Sequence, residues 1–278
     1  MRVLLTRVLN RLLPRPPQAI YLGDHTVLLR TSHGYRLYVD SRDISLAPHL
    51  IMDGIWEPAV TALLNARVRP GMRAIDVGAN VGYHSLHLAH LVGEQGRLVC
   101  FEANVALARL LVRSLEINGF RNRARAHAKA ASDSIGECDF SVFDRHLGAS
   151  SFRVGETTAE EFHDRVSVVR VETTTLDAAC ADLGPVDFMK IDAEGAESAV
   201  IAGAQTLIAN SPNLEILMEF YRGFFPTAEE TRAFFGRFAQ QGFTLRKLSA
   251  EGTLSPTSLD ALLASDTLEE LLLSRRGD

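Results

Sequence analysis

From about residue 72 onward, short apolar runs alternate with stretches of helical periodicity. Residues 73–77 are a first predicted strand, and 83–91 a helix. Residues 97–101 are a second strand, ending in Glu102. Residues 106–117 put Leu107, Leu110, Leu111 and Leu115 on one helical face and stop at Asn118-Gly119, a helix C-terminus signal. Residues 125–131 make a weaker third strand. Residues 186–191 are nearly all apolar, as a parallel strand covered on both faces must be. A helix over 198–208, a strand over 214–218 and a helix over 228–240 follow, with Gly242 ending the last. Residues 244–248 and 271–274 are late strand candidates. Strands alternating with helices predict an α/β fold built on a mostly parallel sheet.

Two segments interrupt the alternation. Residues 136–172 form an insertion, with extra strands predicted over 138–143 and 166–171. Between them His146 to Ser151 reads H-L-G-A-S-S, a small polar loop of the kind that is often functional. Residues 1–70 form an N-terminal extension ahead of a domain over 71–278. In it, residues 27–30 and 35–39 flank Ser32-His33-Gly34, a hairpin signal. Trp56-Glu57-Pro58 opens a helix with Pro58 suited to its first turn, and Pro70-Gly71 stops it. The extension is read as a cover over the mouth of a binding site, with Trp56 and Glu57 as candidate lining residues. They serve equally well as an anchoring aromatic and a first-turn acid.

Residues 1–13 space Val3, Leu4, Leu5, Val8, Leu9, Leu12 and Leu13 at helical intervals, with Arg2, Arg7 and Arg11 between them. One reading is a helix packed on the domain or on a partner, such as a glycosyltransferase complex. The other is a basic amphipathic helix lying on the anionic inner face of a membrane. Arg7 and Arg11 interrupt any signal-peptide core, and no apolar run reaches the roughly 18 residues a membrane span needs. Cys100, Cys138 and Cys180 have no CxxC spacing, which suits reduced thiols in the cytoplasm. The net charge of -5 argues against a broad nucleic-acid surface. The oligomeric state is open, a homo-oligomer included.

The candidate chemistry gathers at strand ends. Ala74-Ile75-Asp76-Val77-Gly78-Ala79-Asn80-Val81-Gly82-Tyr83 hands a strand to a helix across two glycines, where a ligand can approach the backbone. Asn80 and Tyr83 occupy the glycine positions that a dinucleotide fingerprint requires, and no P-loop sequence exists. An acid ahead of the glycines repels phosphate. It suits a ligand with an ammonium group, such as S-adenosylmethionine. Glu102, at the end of the next strand, is placed to accept hydrogen bonds from ribose hydroxyls, or else caps the following helix. Lys190-Ile191-Asp192-Ala193-Glu194-Gly195-Ala196-Glu197 puts four more charges at the same sheet edge. Lys190 lies within the strand and needs an acid partner, with Asp192 and Asp76 as candidates. Glu197 reads as a helix N-terminal acid. Glu219 ends the fifth strand.

Asp76 to Tyr83, Phe101-Glu102-Ala103-Asn104 and Lys190 to Glu197 together resemble the FkbM family of S-adenosylmethionine-dependent methyltransferases, over about residues 54–220. The resemblance implies a Rossmann-like class I methyltransferase sheet, mostly parallel, of seven strands with the last antiparallel. It implies O-methylation of hydroxyls on sugars, polysaccharides or glycosylated natural products. By position, Asp76, Gly78, Asn80 and Gly82 would hold the methionine end of the cofactor and Glu102 its ribose, with Tyr83, Ala103, Asn104, Lys190 and Glu57 beside them. Ser132 and Asp133 match where the family contacts adenine. Asp192 and Glu194 would face the transferred methyl and the acceptor. Methyl transfer to a hydroxyl needs a base, and Asp192 is the first candidate, before His146 or Glu219. Asp192, Glu194 and Glu219 also offer oxygens for a hard cation, but no spacing calls for one and no metal is assigned. The alternative is a non-catalytic nucleoside-binding or scaffolding module docked to a membrane-associated glycan assembly complex.

Overall fold

The computed structural model describes residues 19–150 and 164–275. The amphipathic helix expected over 1–13, and Ser151 of the insertion loop, lie outside the described residues. The elements in chain order are β1 (19–23), β2 (26–30), β3 (36–40), α1 (47–52), α2 (58–67), β4 (73–77), α3 (83–91), β5 (97–101), α4 (105–117), β6 (124–127), β7 (130–131), β8 (136–143), β9 (166–174), α5 (176–179), β10 (188–191), α6 (197–202), α7 (205–209), β11 (215–220), α8 (228–240), β12 (244–248), β13 (254–256), α9 (259–263) and β14 (269–274).

The central sheet has eight strands in the order β13-β12-β14-β11-β10-β4-β5-β6. β11, β10, β4, β5 and β6 are parallel, and β14 runs antiparallel between β11 and β12. This is the expected mostly parallel sheet with its last strand antiparallel. The eighth strand is β13, an edge hairpin partner of β12. It is three residues long and ends in Pro256, a residue confined to sheet edges. The chain winds outward from β4 to β5 and β6, then returns to the other side of β4 as β10. The loops after β4 and β10 therefore part in opposite directions, and a crevice opens at the carboxyl ends of the strands.

Both sheet faces are covered, which explains why β4, β5, β10 and β11 read as apolar runs. On one face Leu86, Leu88, Leu111 and Leu115 of α3 and α4 pack with Leu63 and Leu64 of α2. Val27, Leu29, Leu37 and Val39 of the N-terminal hairpin join that same core. β3 lies along α4, where the Tyr38 N–H donates to Ser114 Oγ at 3.1 Å and the Arg36 N–H to Asn118 Oδ1 at 2.9 Å. On the other face Val200, Ile201, Ile208, Phe234 and Phe238 pack under β4, β10 and β11.

Two expected elements divide. The strand expected over 125–131 splits, because Ala130 and Ala131 leave the central sheet to pair with Thr173 and Thr174 of β9. They join β8 and β9 in a second sheet, which the insertion builds over the crevice. The helix expected over 198–208 breaks at Gly203. A Cβ there would meet the Ser132 carbonyl oxygen at 2.0 Å, and the Gly203 carbonyl accepts from the Asp177 N–H at 2.9 Å.

The crevice rim depends on Asp43. Its Oδ1 accepts from the Ser45 N–H at 3.1 Å and from Ser45 Oγ at 2.6 Å, and its Oδ2 from the N–H groups of Leu46 and Ala47 at 3.1 and 3.0 Å. Asp43→Ala removes this cap and is expected to cost about 1–2 kcal/mol, read as a lower urea midpoint. An unchanged midpoint would remove the cap from the account of this rim.

Candidate active site

The crevice holds a cavity of about 350 Å3. Its floor is the β4 turn. Asp76 is 1% exposed. Its Oδ2 accepts from Ser85 Oγ at 2.6 Å, while Oδ1 is buried with no hydrogen-bond partner. Burial raises the Asp76 pKa, against the pull of Lys190 and Ser85. Gly78 has a φ of +74°, and a Cβ on it would stand 1.6 Å from the Asp192 carbonyl oxygen. The close approach that calls for glycine is thus to the protein's own β10 loop. The N–H groups of Gly78 and Ala79 both donate to the Phe101 carbonyl at 3.0 Å, which ties the turn to β5.

Glu102 is the knot between these loops. Its Oε2 accepts from the Asn80 N–H and its Oε1 from the Asn104 N–H, both at 2.7 Å. Burial pushes its pKa up to about 7, although the two N–H groups oppose the rise. Carboxylate oxygens keep further lone pairs for ligand hydroxyls, and Glu102 and Ala103 both line the cavity. Ala130, Ala131, Phe140 and Leu107 form an apolar wall beside them, fit for a flat heterocycle.

The opposite wall is ionic. Lys190 is 3% exposed and donates to Asp192 Oδ2 at 2.8 Å. In the sheet it lies beside Asp76. Burial alone would lower its pKa, but Asp192, Asp76, Glu57 and Glu270 together raise it, so the ammonium stays charged. Oxygens of Asp192, Glu194 and Glu219 lie within 4.8 Å of one another. Burial, then the charge of Asp192, lifts Glu194 to about 8 and Glu219 to about 10. Glu270 of β14, directly across from Glu219 in the sheet, is pushed by burial to about 8 against Lys190. Burial and the neighbouring acids thus favour the protonated form of these glutamates over the carboxylate. The cationic charge beside the trio is the Lys190 ammonium.

From the N-terminal segment, Glu57 reaches the cavity with a φ of +41°. Its Oε2 pairs with His84 Nε2 at 2.8 Å. Burial opposes ionisation there, yet the His84 hydrogen bond and charge hold Glu57 down at about 2. Trp56 lines the cavity as well, so the N-terminal segment contributes part of its wall.

Of the expected site residues, Glu57, Asp76, Gly78, Asn80, Tyr83, Glu102, Ala103, Lys190, Asp192, Glu194 and Glu219 all line this cavity. Five do not. Gly82 faces α4, where a Cβ would meet Leu111 Cδ1 at 2.6 Å. Asn104 caps α4 by accepting from the Ala106 N–H at 3.0 Å. Ser132 is turned toward Gly203, and Asp133 is exposed and accepts from Ser134 Oγ at 2.9 Å. The apolar wall is made instead by the two residues before Ser132. His146 is drawn away by Asp164, whose Oδ2 sits 3.0 Å from its Nδ1 and also accepts its backbone N–H at 2.9 Å. Glu197 caps its own loop, accepting from the N–H groups of Ala193 and Gly195 at 3.0 and 3.3 Å.

Leu147 and Gly148 of the loop singled out over 146–151 line the cavity too, whereas sequence reading missed His84, Ser45, Leu46 and Phe140, which also line it. His84 carried a local signal, as a polar residue in the first turn after the glycine loop. The others arrive from distant segments and carried none.

Residues 76–245 match the family model described as a methyltransferase FkbM domain. A curated relative, protein-L-isoaspartate O-methyltransferase 1 of Arabidopsis thaliana, is 27% identical over 103 residues. That match takes in 36% of this chain and 45% of the relative, so the chain spans less than half the length of that relative. Among solved structures, a candidate rRNA methylase of Clostridium thermocellum is similar at 12% identity and a TM-score of 0.47, covering 78% of this chain and 93% of that one. An O-methyltransferase of Bacillus cereus, solved with S-adenosylhomocysteine, is similar at 13% identity and a TM-score of 0.45, covering 84% and 82%.

Proposed function

The chain belongs to the FkbM family of methyltransferases, and from that premise we propose that it transfers a methyl group from S-adenosylmethionine to a hydroxyl of a saccharide acceptor. The observation that carries this reading is the buried, unpartnered Asp76 Oδ1 on the cavity floor. An orphaned carboxylate oxygen is costly to bury, and a ligand ammonium removes that cost. Glu102 supplies acceptors for ribose hydroxyls, and Ala130, Ala131 and Phe140 a surface for adenine. The residues present therefore fit this cofactor.

When bound, the cofactor supplies an electrophilic methyl on a sulfonium. The protein's own residues position the acceptor and take its proton. With Oδ2 of Asp192 held by Lys190, Oδ1 is the oxygen that would take the hydroxyl proton as the acceptor oxygen gains the methyl group and the methyl–sulfur bond breaks. Glu194 and Glu219, kept protonated by burial and by their acidic neighbours, donate hydrogen bonds to acceptor oxygens. Such a lining suits a polyhydroxylated molecule, since each sugar hydroxyl can both accept and donate.

Calorimetry with S-adenosylmethionine is the first test, and wild type is expected to bind while Asp76→Ala and Glu102→Ala do not. No binding by wild type sinks the proposal. Label transfer from the cofactor to a panel of glycans and nucleotide sugars, located by mass spectrometry, then identifies the acceptor. In that assay Asp192→Asn is expected to lower turnover about 100- to 10,000-fold, with cofactor affinity within about threefold of wild type. Undiminished turnover would remove Asp192 as the base.

A further inference from the structure

We propose that the amino edge of the central sheet carries a second binding site, for a small anion with linked phosphates such as a diphosphate group. It lies at the end of the strands opposite the candidate active site and does not depend on the cofactor reading above.

A second cavity, of about 450 Å3, opens at that edge. Arg73, Arg97, Arg121, Arg123 and Arg125 line it, and Asp182 is the one carboxylate among its described lining residues. The sheet itself assembles this cluster. Arg73 begins β4 and Arg97 begins β5, and the two are direct partners in the parallel ladder. Arg123 immediately precedes β6, and Arg125 is the second residue of that strand. Like charges side by side in a sheet repel, and an anion seated between them offsets that cost. The chain as a whole is acidic, with a net charge of -5, so this concentration of arginine is local.

Helices that return between parallel strands end at this edge, and arginine there also serves terminal carbonyls. That role uses only part of the donor set. Arg97 Nη1 donates to the Gly96 carbonyl at 2.7 Å, Arg73 Nη1 to the Pro185 carbonyl at 3.4 Å and Arg125 Nη2 to the Ala179 carbonyl at 3.0 Å. Each guanidinium has five N–H donors. Asp182 neutralises Arg125 through contacts of 2.6 and 2.8 Å. Glu116 lies 3.6 Å from an Arg121 side chain that is 81% exposed. Among the described residues, the side chains of Arg73, Arg97 and Arg123 have no carboxylate partner. The Arg123 guanidinium stands 5.4 Å over the Phe120 ring, and its Nε is buried with no hydrogen-bond partner. An unmet buried donor is costly. Here it belongs to a cation that an aromatic face holds beside four more arginines.

The spacing selects the ligand. Planar arginine forks match phosphate oxygens two at a time. Neighbouring strands lie about 4.8 Å apart, so side chains rooted on β4, β5 and β6 start from points spread over about 10 Å. A single phosphate engages one pair of them, whereas two linked phosphates reach across all three strands. The cavity volume falls in the range of small-molecule sites, which fits a free diphosphate or a nucleoside diphosphate.

Calorimetry with inorganic pyrophosphate in low-salt buffer tests this. Wild type is expected to bind one equivalent, at least about tenfold more tightly than it binds sulfate. Arg97→Gln and Arg123→Gln are each expected to weaken pyrophosphate about 10- to 100-fold. The double variant Arg232→Gln and Arg237→Gln removes two arginines of α8, on another part of the surface, and is expected to stay within about threefold of wild type. Circular dichroism melts establish that each variant folds, and Arg97, being exposed, carries the test if Arg123→Gln does not. Adenosine diphosphate, titrated into the same variants, separates the two sources. Tighter binding than pyrophosphate with the same arginine dependence assigns a nucleotide, and equal or weaker binding a free diphosphate; both support the site. Failure of wild type to bind either probe overturns the proposal. So does unchanged affinity in the Arg97 and Arg123 variants, or an equal loss in the α8 variant. Binding of a single-stranded RNA oligomer without binding of either probe overturns it too, since an open polyanion surface would then be present in place of a small-anion site.

Discussion

Gly78→Ala is expected to abolish cofactor binding, with affinity falling more than about 100-fold, and to destabilise the fold by at least about 3 kcal/mol. Two separate costs add at this position. The φ of +74° lies where an L side chain is strained. The added methyl would also stand 1.6 Å from the Asp192 carbonyl oxygen, so one of the two loops must move. Both loops are pinned. The β4 turn donates two N–H groups to Phe101, and the Asp192 N–H donates to the Val77 carbonyl at 3.1 Å. Moving the β10 loop displaces Asp192 from Lys190, and moving the β4 turn displaces the Asn80 N–H from Glu102. Urea unfolding and calorimetry on the variant read the two losses separately. Wild-type affinity in Gly78→Ala would show that the loops are not locked together as described. A control is Gly71→Ala, where φ is also positive but nothing lies within 4 Å of the added Cβ; that variant keeps cofactor affinity and pays only the backbone strain.

Lys190→Met has the second large effect. The Lys190 ammonium is buried among Asp192, Asp76, Glu57 and Glu270. Removing one partner of a buried ionic group leaves charge uncompensated, at a cost of about 3–5 kcal/mol. The loss is expected to depend on pH in a stated direction. Glu194, Glu219 and Glu270 have folded pKa values near 8, 10 and 8, above the usual carboxylate range near 4.3. Groups raised in this way contribute stability that is fully present at low pH and is lost as pH rises through the folded value. Their wild-type contribution therefore declines from about pH 4.3 toward pH 8 and, for Glu219, on to pH 10. Without Lys190 the folded values move higher still and the decline extends to higher pH. Thermal unfolding of Lys190→Met between pH 5 and pH 9 is expected to approach wild type at the acid end and to diverge at the alkaline end. A gap that is constant with pH would mean that lost packing, and not unbalanced charge, sets the cost.

Both effects trace to contacts between segments far apart in the chain, and this divides what could be read early from what could not. The strands ending in Asp76, Glu102, Lys190 and Glu219 were legible, because a doubly covered parallel strand must be apolar and a polar residue marks its end. The cofactor class was legible too: an acid ahead of two glycines repels a phosphate and suits an ammonium, and the family resemblance of three motifs names the cofactor. The antiparallel last strand followed from the family resemblance.

The roles within those motifs were decided elsewhere. Gly78 and Gly82 look alike along the chain, yet one gives way to a neighbouring carbonyl and the other to Leu111. Ser132 and Asp133 follow a strand as an adenine contact should, but Ala130 and Ala131 pair with β9 and present themselves to the cavity first. His146 looked free in a polar loop until Asp164, beyond the intervening insertion residues, came within 3.0 Å. His84 carried no sign of an ionised partner until Glu57, from the N-terminal segment, folded across it. The sequence by itself determined the alternation of strands and helices, the sheet edge that carries the charges and the cofactor's class, since these rest on local periodicity and local residue chemistry. Only the tertiary structure decided which of those residues face the cavity and which hold a proton, because burial and long-range pairing set both.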